Sequence, residues 1–150
     1  MARERQRARL VRDGVTQSLT EIVSDLPKVE NRAMREGAKF FAEKLEQNTP
    51  VGPDPRPPNK YGPNTPYSTT RLKEDVKWQK RGQGRYVVGY GTDTAWRAVF
   101  VNNGTIHITP QFFFEKTVDQ YSKDVNKIVE DVVREELMKK RWLVYKLLKI

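Results

Sequence analysis

A run of prolines constrains this chain more than any other feature. Pro50, Pro53, Pro55, Pro57, Pro58, Pro63 and Pro66 fall within one short span, interleaved with Gly52, Asn59, Gly62 and Asn64. Each proline lacks the amide donor that a helix interior or a central strand needs, so neither can cross it. The span 51–69 is therefore expected to be a long, stiff, exposed loop, partly polyproline II. Loops of this length inside compact domains are mostly functional or disordered. Because proline lowers the entropy cost of ordering on contact, a partner-binding extension is expected here, with Arg56, Lys60 and Tyr61 as its contact residues.

Ahead of the prolines the chain reads as helix. Residues 1–14 form a basic arm with Arg3, Arg5, Arg7, Arg9 and Arg12 against Glu4, closed by an Asp13-Gly14 turn signal. The arm is either a DNA- or acid-binding segment or a solvated terminus. A short helix is expected over Thr16 to Leu26, with Leu19, Ile22, Val23 and Leu26 at helical spacing. Pro27 is expected to break it and open a second helix to about Gln47. The inner stripe of that helix is Val29, Ala33, Gly37, Phe40, Phe41 and Leu45, and its small residues permit close approach to a sheet.

Beyond the prolines, Thr70 to Lys80 alternates, with Leu72, Val76 and Trp78 opposite Lys73, Asp75, Lys77 and Gln79. Gly82 and Gly84 mark a hairpin turn, and Arg85 to Tyr90 returns with Tyr86, Val88 and Tyr90 on one face. Trp96 to Val101 is a strand or a helical turn running into one. Ile106 and Ile108 alternate into Pro110. Phe112 to Met138 reads as a long helix with Phe114, Val118, Tyr121, Val125, Ile128 and Val132 inward. Residues 139–150 form a basic amphipathic tail with Lys139, Lys140, Arg141, Trp142 and Tyr145. It is long enough to dock on a subunit, fold back or lie on a membrane, and too short to span one. The expected fold is thus α+β: an antiparallel sheet of about four strands packed on two main α-helices within a single domain, 15–138, flanked by basic terminal tails.

The chemistry is mostly exclusion. Cysteine is absent, which removes disulfides, thiolate catalysis and cysteine-ligated zinc. His107 is the single histidine and lies between two isoleucines, so a histidine metal cluster is impossible and a triad role is disfavoured. Most acids fall on outer helix faces, leaving Asp75 and Asp93 as the pair nearest the sheet, with no spacing that links them. The glycines of Gly82 to Gly91 suit a hairpin, and no phosphate-loop lysine follows. We expect no enzyme, no cofactor and no metal. The net charge of +9 favours anionic partners. No apolar run reaches the roughly 18 residues of a spanning helix and no signal core opens the chain, so a soluble protein made in the cytoplasm is expected, without membrane association.

Four segments, taken in order, resemble the head–tail connector and tail-completion proteins of tailed bacteriophages, the gene-product-ten-like neck and tail components of lambdoid phages. Asn48-Thr49-Pro50-Val51 and Thr70-Arg71-Leu72-Lys73 are similar to the two halves of that family's Ala-Pro-Val-Asp-Thr-Gly-x-Leu-Arg motif, here split by the proline insertion. Ala95 to Thr105 resembles its Tyr-Ala-x-x-Val-Glu-x-Gly-Thr element, with Asn102 or Asn103 where glutamate is usual. Thr109-Pro110-Gln111-Phe112-Phe113 resembles its Pro-Phe segment. The resemblance implies a structural virion protein, a ring-forming neck or tail-completion component, six-fold, joining the DNA-filled head to the tail. It implies neighbouring connector and tail proteins as partners, with possible contact to packaged DNA. The contact residues are expected in the departures from the family: Arg3, Arg5, Arg7, Arg9, Arg12, Arg56, Lys60, Tyr61, Lys139, Lys140, Arg141, Trp142 and Tyr145. The alternative is a basic, non-enzymatic nucleic-acid-binding protein.

Overall fold

The computed structural model describes residues 2–51 and 71–148, so the expected proline loop, with Arg56, Lys60 and Tyr61, lies outside the described residues. The chain is α+β and mostly helical. Helix α1 runs Ala2–Asn48, strands β1 and β2 run Val76–Gly82 and Arg85–Tyr90, helix α2 runs Thr92–Asn103, and helix α3 runs Phe113–Leu148. A single 3-10 turn, Leu72–Asp75, leads into β1.

Helices α1 and α3 pack antiparallel, as their contacts run in opposite directions along the two. Asn48 donates to Thr117 and Gln120, Phe40 stacks edge-on against Tyr121, Arg32 pairs with Glu136, and Lys140 donates to Asp25. Gly37 sits at the closest approach, where a Cβ would lie 3.0 Å from Val129 Cγ2. The small-residue stripe thus admits α3 at Gly37, where the sequence suggested a sheet. Ala33, Ala38 and Ala42 are buried along the same helix.

The hairpin and α2 complete a core at one end of this helix pair. Leu45, Ala98 and Phe113 are buried there, with Phe41, Leu72, Val76, Val88, Tyr90, Val101 and Phe114 around them. Burying a side chain such as Leu45 contributes about 2–3 kcal/mol. Edge-to-face pairs Phe41–Phe114 and Tyr90–Phe113, each at 6.1 Å, add roughly 0.5–1.5 kcal/mol apiece. Register pairs Val76 with Tyr90, Trp78 with Val88 and Lys80 with Tyr86 on one face; Val76, Val88 and Tyr90 pack on the core, while Trp78 and Lys80 remain exposed. A bulge at Arg81 precedes the Gln83-Gly84 turn, where Gly84 takes φ +59°.

Three expectations are corrected. The sheet has two strands among the described residues, not about four. Trp96 to Val101 is helical because its inward positions, Thr94, Ala98 and Val101/Asn102, follow a period near four, and a short apolar run is ambiguous without that context. Residues 105–108 form a tight turn closed by a Thr105–Ile108 bridge, with His107 exposed at its tip. Second, neither Gly14 nor Pro27 interrupts α1. Pro27 forgoes one helical hydrogen bond, a cost of about 3 kcal/mol in isolation. Its carbonyl accepts from Asn31 Nδ2 and Gln83 Nε2, both at 2.8 Å, so the hairpin tip is fastened there. Third, the segment from Lys139 continues α3 without a break to Leu148.

Candidate interaction surfaces

Two parts of the molecule present side chains that the fold does not use. The first is α2 with the loop that follows it. Gly91 caps α2, its carbonyl accepting from Thr94 N and Ala95 N. Asp75 anchors the same end: Thr94 Oγ1 donates to Asp75 Oδ2 at 2.6 Å, and Gly91 N donates to the Asp75 carbonyl. Lys77, 2.7 Å away, and the Thr94 hydroxyl hold the Asp75 carboxyl below the usual carboxylate range. Of the acid pair flagged at the sheet, Asp75 is therefore a structural clamp. Tyr90 is similarly committed: burial pushes its phenol up to about 12 against the opposing bond from Thr49.

At the other end of α2, Asn102 is the hub of the joint. Its carbonyl accepts from Phe112 N and Gln111 N, its Oδ1 accepts from Phe114 N at 3.0 Å, and its Nδ2 donates to Glu115 and Asn103. One buried amide thus supplies a partner to the first turn of α3, which otherwise has unpaired donors. That accounts physically for a polar side chain at a position where the resembling motif has glutamate. Gly104, at φ +76°, lets the chain turn under Pro110. The result is a pinned loop with outward side chains: Ile106 is 94% exposed, and Ile108 and Phe112 are about half open. Phe112 itself is held at φ 48°, an uncommon conformation for a bulky residue. On α2, Trp96, Val99 and Phe100 form an exposed stripe at helical spacing, Trp96 and Phe100 edge-to-face at 5.9 Å.

The second part is the far end of the α1–α3 pair. Here Ser18, Ile22, Asp25 and Val29 are the side chains of α1 turned inward, while Leu19, Val23 and Leu26 are exposed. Of the four apolar residues whose spacing predicts a helix here, only Ile22 is turned inward. Asp25 is clamped by Lys140 and Lys28, which hold its carboxyl down at about 2. Lys139, 3.1 Å away, similarly lowers Glu136, which also pairs with Arg32. Lys139 and Lys140, expected as partner contacts, are engaged within the molecule. Arg141 and Trp142 are exposed, as is Tyr145, and Lys146 lies 3.9 Å over the Trp142 ring. Arg141 closes an open groove along one face of α3 with Val129, Val133, Leu137 and Met138.

From the Asp25–Lys140 contact, α1 has residues 2–24 still to run and α3 only 141–148. At 1.5 Å per residue the N-terminal helix overhangs its partner by about 20 Å. Arg5, Arg9 and Arg12 are exposed on this overhang; the side chains of Arg3 and Arg7 lie outside the described ones. The structure brings the two basic ends to the same end of the molecule. Among the described residues no group of His, Asp or Glu is placed to hold a metal, and no helix is long and apolar enough to cross a membrane.

The fold and its surfaces define a small α+β protein built on an antiparallel helix pair, with apolar faces left open at both ends. The model of the family described as "Bacteriophage HK97-gp10, putative tail-component" matches residues 13–104, more than half of the chain, and the chain belongs to that family. No curated protein and no solved structure matches it. The matched span takes in α1 from Asp13, the hairpin and α2. The loop after Gly104, α3 and the N-terminal arm lie outside it.

Proposed function

We propose that the chain is a structural component of a tailed-phage virion, a ring-forming neck or tail-completion protein that joins the DNA-filled head to the tail. The family match over residues 13–104 carries this reading. The open apolar faces support it, since a polar chain of net charge +9 keeps Trp96, Phe100, Ile106 and Trp142 in solvent only where something is to cover them. In this reading the arm 1–14 and the end 139–150 flank a connector body, and the ring is six-fold, as the resemblance implies. Its neighbours are further copies and the adjoining connector and tail proteins, with Arg5, Arg9, Arg12 and Arg141 directed at packaged DNA or at acidic protein surfaces. The protein is made in the host cytoplasm and resides in the virion.

A phage carrying a deletion of this gene tests the reading. Full heads and complete tails that fail to join are expected, with joining restored when the purified protein is added. Normal infectious virions from the deletion would sink it.

One observation favours a second reading. Exposed arginines on a helix that overhangs the rest of the molecule suit a free duplex-binding protein. That reading requires the isolated chain to bind generic DNA with an affinity that falls steeply with salt. A flat titration at low salt would remove it.

A further inference from the structure

The β1–β2 hairpin presents a further surface, and this one is charged. Residues 76–92 hold Lys77, Lys80, Arg81 and Arg85 and no acid, four cations in a chain whose net charge is +9. The hairpin rests on the core through Val76, Val88 and Tyr90. From Lys77 to Gly82 every residue of β1 is exposed, as are Arg85 and Val87 on β2. Lys77 is paired with Asp75, 2.7 Å away. Lys80, Arg81 and Arg85 meet no carboxylate among the described residues. The Glu30 carboxylate beside the turn accepts instead from Gln83 Nε2 at 3.3 Å.

The fold thus brings three cations to the last rungs of a two-stranded ladder without a counter-charge. Lys80 stands opposite Tyr86, Arg85 opposite Gly82, and Arg81 in the bulge between. Paired strands lie about 4.8 Å apart, so these charges oppose one another until an anion joins them. Their support is fixed. Gly84 N donates to Asn31 Oδ1 at 3.0 Å, Gln83 Nε2 donates to the Pro27 carbonyl at 2.8 Å, and Trp78 packs on Tyr86 at 6.0 Å. A backbone already held in place loses little further freedom on binding.

Composition decides the class of partner. The centre of a protein–protein interface is depleted of charge, whereas an interface with nucleic acid is polar and strongly positive. Here the unpaired cations are the centre. The Trp78 ring leans on Tyr86 at 48° and does not stand as an open stacking platform for unpaired bases. A two-stranded ribbon is also an element that the major groove of a duplex admits. We infer that the tip of the β1–β2 hairpin binds the phosphate backbone of duplex DNA through Lys80, Arg81 and Arg85. None of the three is among the contacts that the sequence suggests, which fall in the terminal tails and the proline loop. The inference names a DNA contact for the proposed virion component and rests on that reading for the DNA that reaches it.

Fluorescence anisotropy of a generic duplex of about 20 base pairs, titrated with the full chain across a salt series, tests the site. Combined Lys80→Gln, Arg81→Gln and Arg85→Gln substitutions alter exposed side chains, so folding is not at stake. They are expected to weaken binding about ten-fold or more at low salt, and to flatten the slope of log affinity against log salt by about 2 to 3. Combined Arg5→Gln, Arg9→Gln and Arg12→Gln substitutions remove the same charge and are expected to weaken binding less, which separates placement from net charge. Equal losses, or a greater loss from the arm, overturn the inference. So does a flat titration of the parent at low salt, or a single strand that binds more tightly than the duplex. Polyglutamate that displaces the duplex as effectively as unlabelled duplex of equal charge would make the partner an acidic protein and overturn it too. If the titration is flat while the deletion phage still leaves heads and tails unjoined, the site is wrong and the proposed function stands. If the hairpin variant loses DNA and the deletion phage is infectious, the function falls and the site survives.

Discussion

At Gly104 a single hydrogen atom decides the course of the chain. A Cβ there would lie 2.7 Å from the Ile108 carbonyl oxygen and from the Pro110 ring, on a backbone already at φ +76°. Neither obstacle is the movable tip of a long side chain. Gly104→Ala is therefore expected to destabilise the protein by about 2 kcal/mol, read as a lowered midpoint in a thermal or urea melt. A variant as stable as the parent would mean that the loop relaxes without cost. Asn102 shows how much of such a site is legible beforehand. The bend at Asn102-Asn103-Gly104 could be read from residue types alone. That the amide of Asn102 would reach across to Phe114 N and Glu115 could not, because those partners are set by how α3 returns against α2.

At the scale of elements, the far end of the helix pair carries ion pairs across and along the two helices, beside the buried Ser18 and Val29. Asp25 and Glu136 both sit below the ordinary carboxylate value, chiefly through Lys140 and Lys28 on the first and Lys139 on the second. A carboxylate whose folded pKa is depressed lends stability that is complete above its unfolded value, near pH 4, and lost as pH falls toward 2. Hydrogen exchange along residues 18–26 and 136–145 should accelerate over that window. Asp25→Asn should flatten the part of that acid-window dependence due to Asp25 and show the faster exchange already at pH 6, where the parent still has its full Asp25 contribution. The pairs are partly exposed, so the effect is local loosening and not global unfolding. The same elements explain where sequence periodicity misled. Pro27 reads as a break because its lost bond is visible in the sequence, whereas the Gln83 donor that joins the nearby Asn31 amide on its carbonyl comes from the folded hairpin.

At the scale of the whole molecule, stability is distributed unevenly. Every element meets at the core around Leu45, Ala98 and Phe113, while the far end is two helices alone. Amides of 38–46 and 114–125 are accordingly expected to exchange most slowly, and those of 14–24 much faster. Uniform protection along α1 would contradict this division and would point to a cover over the far end in solution. The family assignment belongs to this scale too, since it rests on the order of several weak motifs spread over most of the chain and on a match to residues 13–104.

What the amino-acid sequence determined by itself is local. The hairpin from Val76 to Tyr90, its inward face, the stripe from Val29 to Leu45 and the long C-terminal helix all follow from spacing and turn chemistry between near neighbours. What only the tertiary structure decided is which apolar residues stay outside. Leu19, Val23, Phe100 and Ile106 have the hydrophobicity of core residues. Their exposure depends on where α3 and the hairpin come to rest, and on Ser18 and Asp25 taking the inward side of α1 instead. Hydrophobicity is a property of a residue, but burial is a property of its surroundings, and those surroundings are set by chain segments tens of residues away.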